Sequence, residues 1–397
     1  MSLVTLKQSL RPARVGRKTL GLEHTREFAE HVFGEGLHTL RVLSLANGVA
    51  GALRAATLSV HAIGQAYAQL AKTTAKSGVK QVDRLLSNDG VRIDAVLRQW
   101  VRFVVGDTGR VVIALDWTDF DADDQTTLAA YMVTTHGRAM PLAWKTVRKS
   151  ELRDRRTAHE KALVENLQSW LPPGIEVTLL ADRAFGSHEF YAVLDGMGWD
   201  YVIRFRGCIQ VRAATGETRA ATGWLAPTGR ATALRDVLVT NDRAPVACVV
   251  TVKAAKMAEP WFLASSLGDA TATEIVKLYG RRFTVEETFR DVKDLHFGMG
   301  LSATHIRSPE RRDRLLLLVA MAHSLLTLLG AASEKSGLDR YLKTNTVKHR
   351  TMSLYRQGAY WYRCLPTMRD EWFERLITAY DEIVREHAFF GHFFGVK

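Results

Sequence analysis

The stretch VVIALDW at residues 111–117 is a continuous apolar run interrupted only at its end, by an acid. Runs of this kind, without alternating polar residues, are typical of strands buried on both faces of a sheet. A second such run, IEVTLLAD at residues 175–182, also ends with an aspartate. We therefore expect two buried strands whose carboxyl ends carry Asp116 and Asp182.

The segments around these two strands predict a mixed sheet flanked by helices. Residues 126–147 indicate two strands joined by the His-Gly-Arg turn at 136–138, and a helix is expected over 158–171. A short helix and a third apolar strand, YVIRF at 201–205, follow the second buried strand. The order strand, strand, strand, helix, strand, helix, strand predicts an α/β (α+β) protein with a ribonuclease-H-like fold.

The chain divides into regions of different character. The expected regions are a helical, DNA-binding 1–105, a ribonuclease-H-like catalytic part formed by 106–206 and 266–335, a β-rich insertion at 207–265, and a helical C-terminal region at 336–397. Within the last region, the amphipathic segment 371–387 has two open interpretations, a dimerisation contact or a helix that simply packs on the core.

The composition indicates a globular protein with a basic excess. Hydrophobic residues make up 47% of the chain and charged residues 24%, and 54 Lys and Arg against 42 Asp and Glu leave a net charge of +12. This excess favours a polyanionic partner, with nucleic acid ahead of an acidic membrane surface. The three cysteines lie far apart and form no CxxC pair. No disulfide framework or zinc site is therefore expected, and without an apolar signal sequence at the N-terminus a cytoplasmic location is favoured.

One apolar run, at residues 315–332, has the length of a short membrane span. It lies at the lower end of the roughly 17–25 residues that a span needs. It also contains His323, Ser324 and Thr327. We expect a buried core helix here, and no membrane partner.

Residues 57–88 predict a helix-turn-helix pair with a break near residues 77–78. The second helix would present Lys80, Gln81 and Arg84, whose side chains suit phosphate and base-edge contacts. A small helical bundle has the same pattern, so a DNA-binding and a purely structural interpretation both stay open.

Asp116 and Asp182 are expected to emerge at the same end of the sheet, because their strands are neighbours in a ribonuclease-H-like fold. Hard divalent ions such as Mg²⁺ prefer carboxylate oxygens together with substrate phosphate. Two such ions, roughly 3.5–4 Å apart, can hold the attacking and leaving oxygens of a phosphodiester displacement. Either aspartate alone could be a turn former or a helix cap. Their joint occurrence favours a metal site completed by a third acid.

The third acid is expected in YGRRFTVEETFRDVK, residues 279–293, which the pattern predicts as one continuous helix. At about 100° per residue, five side chains share an arc of roughly 80°: Tyr279, Arg282, Glu286, Arg290 and Lys293. Glu287 falls outside that arc. One carboxylate among three cations and a phenol fits a metal-binding glutamate beside phosphate-binding groups better than a solvated face.

Several blocks of the sequence together resemble a known family. The spacing Y-x2-R-x3-E-x6-K is met in full by residues 279–293, and it accompanies ALDWTD around Asp116, TTHGRAMPL after it and LLADRAF around Asp182. These blocks resemble the signature of DDE transposases encoded by bacterial cut-and-paste insertion sequences. The resemblance extends from about residue 80 to about residue 350.

The resemblance implies a Mg²⁺-dependent enzyme that hydrolyses DNA phosphodiesters and transfers strands. Asp116, Asp182 and Glu286 would hold two Mg²⁺ ions per active site, and Mn²⁺ could substitute. Water would attack the phosphodiester at the element end, and the freed 3′-hydroxyl would then attack further phosphodiesters, finally those of target DNA. A hairpin intermediate belongs to the family and has no counterpart in the residue pattern.

The resemblance also implies DNA contacts. Tyr279, Arg282 and Lys293 would bind phosphates near the cleaved end, and Arg290 shares their stripe. Trp261 occupies the place where the family stacks an aromatic ring on a flipped end base. A core tryptophan of the insertion is the alternative for Trp261.

The partners implied are transposon-end DNA with terminal inverted repeats, target DNA and a second copy of the chain in a homodimeric synaptic complex. The expected location is the bacterial cytoplasm, in association with the nucleoid. A metal-dependent nuclease or resolvase without strand transfer remains an alternative, as does a catalytically silent DNA-binding derivative.

Two smaller alternatives are open. His136 either lines the site or lies in a turn, and residues 147–156 either contact DNA or form a solvated loop.

Overall fold

The computed structural model describes residues 20–294 and 299–390. Within them the strands are β1 (Arg110–Phe120), β2 (Gln125–Met132), β3 (Met140–Arg148), β4 (Glu176–Ala181), β5 (Asp200–Arg204), β6 (Gln210–Arg212), β7 (Thr218–Ala220), β8 (Thr232–Val239), β9 (Ala244–Val252) and β10 (Trp261–Ser265). The helices are α1 (Leu22–Phe33), α2 (Thr39–Ala55), α3 (Val60–Ala71), α4 (Ala75–Leu86), α5 (Ile93–Val105), α6 (Arg156–Trp170), α7 (His188–Met197), α8 (Ala272–Gly280), α9 (Phe283–Lys293), α10 (Pro309–Lys335), α11 (Leu354–Cys364) and α12 (Asp370–Phe390).

Strands β1 to β5 form the mixed sheet that the sequence predicts. β1, β2 and β3 are antiparallel neighbours, whereas β1 pairs with β4 and β4 with β5 in parallel. α6 connects β3 to β4, and α7 connects β4 to β5. This arrangement confirms the ribonuclease-H-like fold. In the register of β1 and β4, Leu115 lies opposite Ala181, so Asp116 and Asp182 lie side by side where β4 ends. The expectation that Asp116 also ends its strand is wrong, because β1 continues to Phe120 in its pairing with β2.

The β-rich insertion continues the same sheet and does not form a second one. The full order is β3-β2-β1-β4-β5-β10-β9-β8-β6-β7, a ten-stranded sheet. The junction is the antiparallel pairing of β10 with β5, in which Leu263 lies opposite Arg204. Trp261, the first residue of β10, is therefore held at a fixed place relative to the strands that carry the aspartates.

The other edge of the sheet is β3, and two polar contacts cover its outward side. The backbone N–H of Thr146 donates to Asp313 Oδ1 of α10 at 3.0 Å. The indole N–H of Trp100 in α5 donates to the carbonyl of Pro141 at 2.8 Å.

Helices α1–α5 precede the sheet, and the break predicted near residues 77–78 is wrong. α3 ends at Lys72, whose φ is +53°, and α4 is capped by the Thr74 hydroxyl, which accepts from the Ser77 N–H. Gly78 lies inside α4 and serves the packing of the pair. A Cβ built there would lie 2.1 Å from the carbonyl oxygen of Gly64 in α3, so only glycine permits this close helix crossing.

α10 is the central helix of the structure. It is long and apolar enough to cross a membrane by length and composition, and 89% of its most apolar window is buried inside the protein. α12 packs on α10 and also reaches the N-terminal helices, since His387 meets Phe103 edge-to-face at 4.7 Å. This face of α12 is occupied within the chain, and dimerisation through the C-terminal region stays a prediction.

The continuous helix predicted over residues 279–293 is also wrong, because two helices, α8 and α9, share this stretch. Between them the backbone N–H groups of Arg281 and Arg282 donate to the carbonyls three residues earlier. This is the tighter 3₁₀ pattern of about three residues per turn, so the rotation per residue exceeds that of an α-helix. Tyr279 remains beside Arg282 across this junction, with the guanidinium carbon 5.9 Å from the centre of the phenol ring.

Candidate active site

Asp116 and Glu286 are joined by a single guanidinium. Arg282 Nη1 lies 3.2 Å from Asp116 Oδ2, and Arg282 Nη2 lies 2.8 Å from Glu286 Oε1. Arg282 is buried, because it stands at the junction of α8 and α9 against the end of β1, whereas half of the Glu286 side chain is exposed. The structure thus brings the acid of β1 and the acid of α9 to one cation.

Asp182 belongs to the same electrostatic cluster. Burial raises the pKa of the Asp116 carboxyl to about 6; Arg282 lowers this pKa, and the charges of Asp182 and Glu286 raise it. Asp182 follows the last residue of β4, where its carboxylate accepts the N–H of Arg183 at 2.6 Å. Three carboxylates therefore repel one another near the carboxyl end of β4, with one buried arginine between two of them.

Tyr279 lies beneath an aromatic layer and not on the surface. It is only 1% exposed, and its ring meets Trp261 edge-to-face at 5.1 Å. Trp261 in turn stacks on Phe283, which is 43% exposed, with 5.8 Å between the centroids. Burial raises the pKa of Tyr279 to about 12, so the phenol stays protonated and can only act as a neutral group at working pH. The sequence did not single out Phe283, although its exposure beside Arg282 makes it part of this surface.

Lys293 and Arg290 of α9 have different partners. Lys293 Nζ lies 2.9 Å from Thr118 Oγ1 and 3.1 Å from the carbonyl of Asp119, so it fastens the end of α9 to the end of β1. Burial lowers the pKa of Lys293. Arg290 forms an exposed ion pair with Glu287 and does not reach Glu286. The predicted stripe is therefore divided in the structure: Arg282 and Glu286 face Asp116, while Arg290 leans toward Glu287.

A cleft next to Lys293 opens to solvent. Its volume is about 280 Å³. It is lined by Thr118, Phe289, Arg290, Lys293, Asp294 and Ser302. Two basic side chains, Arg290 and Lys293, and one acidic side chain, Asp294, thus line this cleft.

Glu287 points away from the acids, toward the turn between β2 and β3. Arg138 of that turn lies 3.4 Å from Glu287 and 2.5 Å from Asp291. His136 lies in the same turn, and its carbonyl accepts the N–H of Leu354. Sequence reasoning missed Arg138 and Asp291 as partners, because the two lie far apart along the chain.

Trp117, which follows Asp116, lies over α6. Its indole N–H donates to Glu160 at 2.8 Å, and Arg156 stacks over its ring at 5.1 Å. Within the basic segment 147–156, Lys149 is paired with Asp119 and Asp121 of the β1 end. Part of that segment is therefore neutralised within the protein.

The predicted DNA-contacting residues of α4 have unequal surroundings. Lys80 and Arg84 are exposed on one face, one helical turn apart. Lys76, a further turn back, extends this exposed basic row. Gln81 is half-buried, and its amide donates to Ser44 of α2 at 3.0 Å.

The acids fit a divalent cation in donor type and electrostatics. Within residues 20–294 and 299–390, no group of three or more Asp, Glu, His or Cys side chains is arranged to hold a metal ion. Arg282 supplies the positive charge between Asp116 and Glu286 in this arrangement. A buried carboxylate repelled by two others is the kind of hard-oxygen site that a divalent cation stabilises.

No curated protein matches the chain. The family model of the transposase DDE domain matches residues 107–325, more than half of the 397-residue chain. The matched region contains β1 with Asp116, β4 with Asp182 and α9 with Glu286. The chain therefore belongs to the DDE transposase family.

Proposed function

We propose that this transposase moves an insertion sequence by a cut-and-paste reaction. Asp116, Asp182 and Glu286 are the catalytic acids in this proposal. The observation that carries it is the convergence of these acids near the carboxyl end of β4, where Arg282 joins two of them. Water attacks the phosphodiester at each element end, and the freed 3′-hydroxyl attacks target DNA; both steps are in-line displacements at phosphorus.

The three acids would hold Mg²⁺, two ions in the family's scheme, with Mn²⁺ as a substitute. Bound Mg²⁺ supplies Lewis-acid stabilisation of the charge that develops on the phosphate oxygens. Arg282 keeps Asp116 and Glu286 in place, and its charge lowers the pKa of Asp116. Tyr279, as a neutral phenol beneath Trp261, supports the aromatic surface beside the acids.

The Y-R-E-K residues would contact the end of the element. Lys293 and Arg290 line the cleft beside the acids, where a phosphate group would find positive charge. Trp261, half-exposed and stacked on Phe283, offers a ring face to an end base. Tyr279 would act from below this surface, because it is buried.

Sequence-specific contacts with the terminal inverted repeats are assigned to the N-terminal helices, 1–105. Lys80 and Arg84 carry this part of the proposal, because both are exposed on α4. Gln81 contributes less, since Ser44 already accepts its amide N–H. The active form would be a homodimer that pairs two ends in the bacterial cytoplasm.

The test uses labelled element ends, a plasmid target and Mg²⁺. The proposal expects cleaved ends followed by end-to-plasmid joined products, and expects both to vanish in Glu286→Gln. Cleavage without joined products would replace the proposal with a nuclease or resolvase. Binding of the ends without cleavage, in Mg²⁺ and in Mn²⁺, would leave a DNA-binding derivative.

A further inference from the structure

The side of α9 that faces away from the acids is held by the turn between β2 and β3. Arg138 Nε lies 2.5 Å from Asp291 Oδ2, and Arg138 Nη2 lies 3.4 Å from Glu287 Oε2. Thr288 also binds this turn, through the backbone of Ala139. Its hydroxyl lies 3.0 Å from the N–H of Ala139 and 3.2 Å from the Ala139 carbonyl. Three residues of α9, Glu287, Thr288 and Asp291, are thus bound to one turn.

A second arginine reaches the same carboxylate from the C-terminal region. Arg356 Nη2 of α11 lies 3.0 Å from Asp291 Oδ1, so each oxygen of Asp291 has its own guanidinium. Asp291 is 2% exposed. A carboxylate buried to this degree is stable in its ionised form only when it is paired and hydrogen-bonded. The two arginines therefore fix the orientation of Asp291.

We propose that Arg138, Asp291 and Arg356 form a clamp that sets the rotation of α9 and so positions Glu286. These are positioning residues, because they act on the acid through the helix that carries it. The inference rests on the proposed function, in which Glu286 is a catalytic acid.

The geometry explains why a clamp matters for this helix. α9 has only 11 residues and follows a tight turn at residues 281–282. A side-chain tip lies about 5–6 Å from a helix axis, so a rotation of about 10° moves it by about 1 Å. Displacements of about 1 Å at a reacting centre can lower a rate by about 100-fold. Holding the opposite side of α9 restricts this rotation.

The clamp also links two distant parts of the chain to the site. Arg138 belongs to the hairpin of β2 and β3, and Arg356 lies in α11. The C-terminal region therefore bears on the rate of cleavage through Arg356, independently of any contact that it makes with DNA.

The experiment compares Asp291→Asn, Arg138→Ala and Arg138→Lys with a matched control, Arg350→Ala. Arg350 holds the same turn from its other side. It pairs with Glu334 at 2.6 Å and donates to the carbonyl of Thr135 at 3.3 Å, and neither partner belongs to α9. Each variant is assayed for end-DNA affinity, for single-turnover cleavage at saturating DNA, and for amide hydrogen exchange in α9 and α6.

The clamp predicts that Asp291→Asn and Arg138→Ala lower cleavage by roughly 10- to 100-fold, the usual range for residues that orient a ligating side chain. End-DNA affinity stays unchanged, exchange quickens in α9 but not in α6, and Arg138→Lys recovers part of the rate. Arg350→Ala lowers the melting temperature and leaves the cleavage rate of the folded protein as in the wild type.

Wild-type cleavage by folded Asp291→Asn, or an equal loss in Arg350→Ala, would overturn the clamp. If Asp291→Asn does not fold, Arg356→Gln decides, since Arg356 is partly exposed and its removal leaves Arg138 on Asp291. If the wild-type protein does not cleave, the proposed function fails, and the exchange of α9 in the same variants still decides whether the clamp exists.

Discussion

The two sides of α9 carry acids of the same chemistry in opposite circumstances. On one side, Glu286 is half-exposed and shares the guanidinium of Arg282 with Asp116. On the other side, Asp291 is buried and pairs with two arginines, of which Arg138 also reaches Glu287. A buried carboxylate with a guanidinium on each oxygen serves structure, whereas one with a shared partner and open solvent keeps capacity for a ligand. Burial and partner number, more than residue type, separate the two roles.

The largest expected difference between the two sides is in catalysis. Glu286→Gln should lower end cleavage by about 1,000-fold or more, because it removes a catalytic acid, while end-DNA affinity persists. Glu287→Gln should be milder, since Glu287 only assists Arg138. Gel assays of single-turnover cleavage and of DNA binding measure both. Equal losses in the two folded variants would remove the distinction between the sides.

For stability, the side of α9 that carries Asp291 should matter more than the side that carries Glu286. Asp291→Ala should lower the free energy of unfolding by about 3 kcal/mol or more, because two arginines lose a buried partner. Glu286→Ala should change it by about 1 kcal/mol or less, because its ion pair is half-exposed. Urea unfolding of both variants measures these free energies. A larger loss of unfolding free energy in Glu286→Ala than in Asp291→Ala would show that the contact with Arg282 stabilises the fold more than the contacts of Asp291.

The free energy of unfolding should also depend on pH, through Asp116. The pKa of Asp116 is raised to about 6, so the folded state binds this proton more tightly than the unfolded chain does. Its contribution to stability is full below the ordinary value of 3.8 and is lost as pH rises through about 6. The loss amounts to up to about 3 kcal/mol.

Asp116→Asn isolates this effect, because the amide does not titrate. The free energies of unfolding of wild type and variant, measured in urea from pH 4 to pH 7, should diverge as pH rises, in favour of the variant. A constant difference across that range would contradict the raised pKa.

The smallest expected effect concerns Arg290, which belongs to neither side fully. Its exposed pair with Glu287 should contribute less than about 0.5 kcal/mol to stability. If Arg290 contacts a DNA phosphate, Arg290→Ala should reduce the slope of log affinity against log salt by about 1. Titrations at several salt concentrations test this, and an unchanged slope would take Arg290 out of the DNA contacts.

Much of the site-forming framework could be predicted from the sequence. The apolar runs that end at Asp116 and Asp182 predict neighbouring strands, and the strand register places the two acids side by side. Helical periodicity separates Glu286 from Glu287, and the structure places only Glu286 next to Arg282.

Other features depend on local geometry or on contacts that spacing does not encode. The tight turn at residues 281–282 divides the predicted helix into two, and Tyr279, although it stays beside Arg282, is buried. Gly78 looks like a turn residue, yet it is a packing position inside α4, because glycine permits both. The pairing of Arg138 with Asp291 joins segments far apart in the chain, and only the fold brings them together.

The way in which β3 ends the sheet limits how two copies of the chain can associate. An uncovered edge strand invites another strand to add to it. Here Asp313 accepts an outward N–H, Trp100 occupies an outward carbonyl, and Pro141 has no N–H to offer. At the opposite end, β7 has only three residues and is too short a template. Sheet-to-sheet joining is therefore disfavoured at both ends, and a pair of these molecules must meet through helices, loops or the DNA that they share.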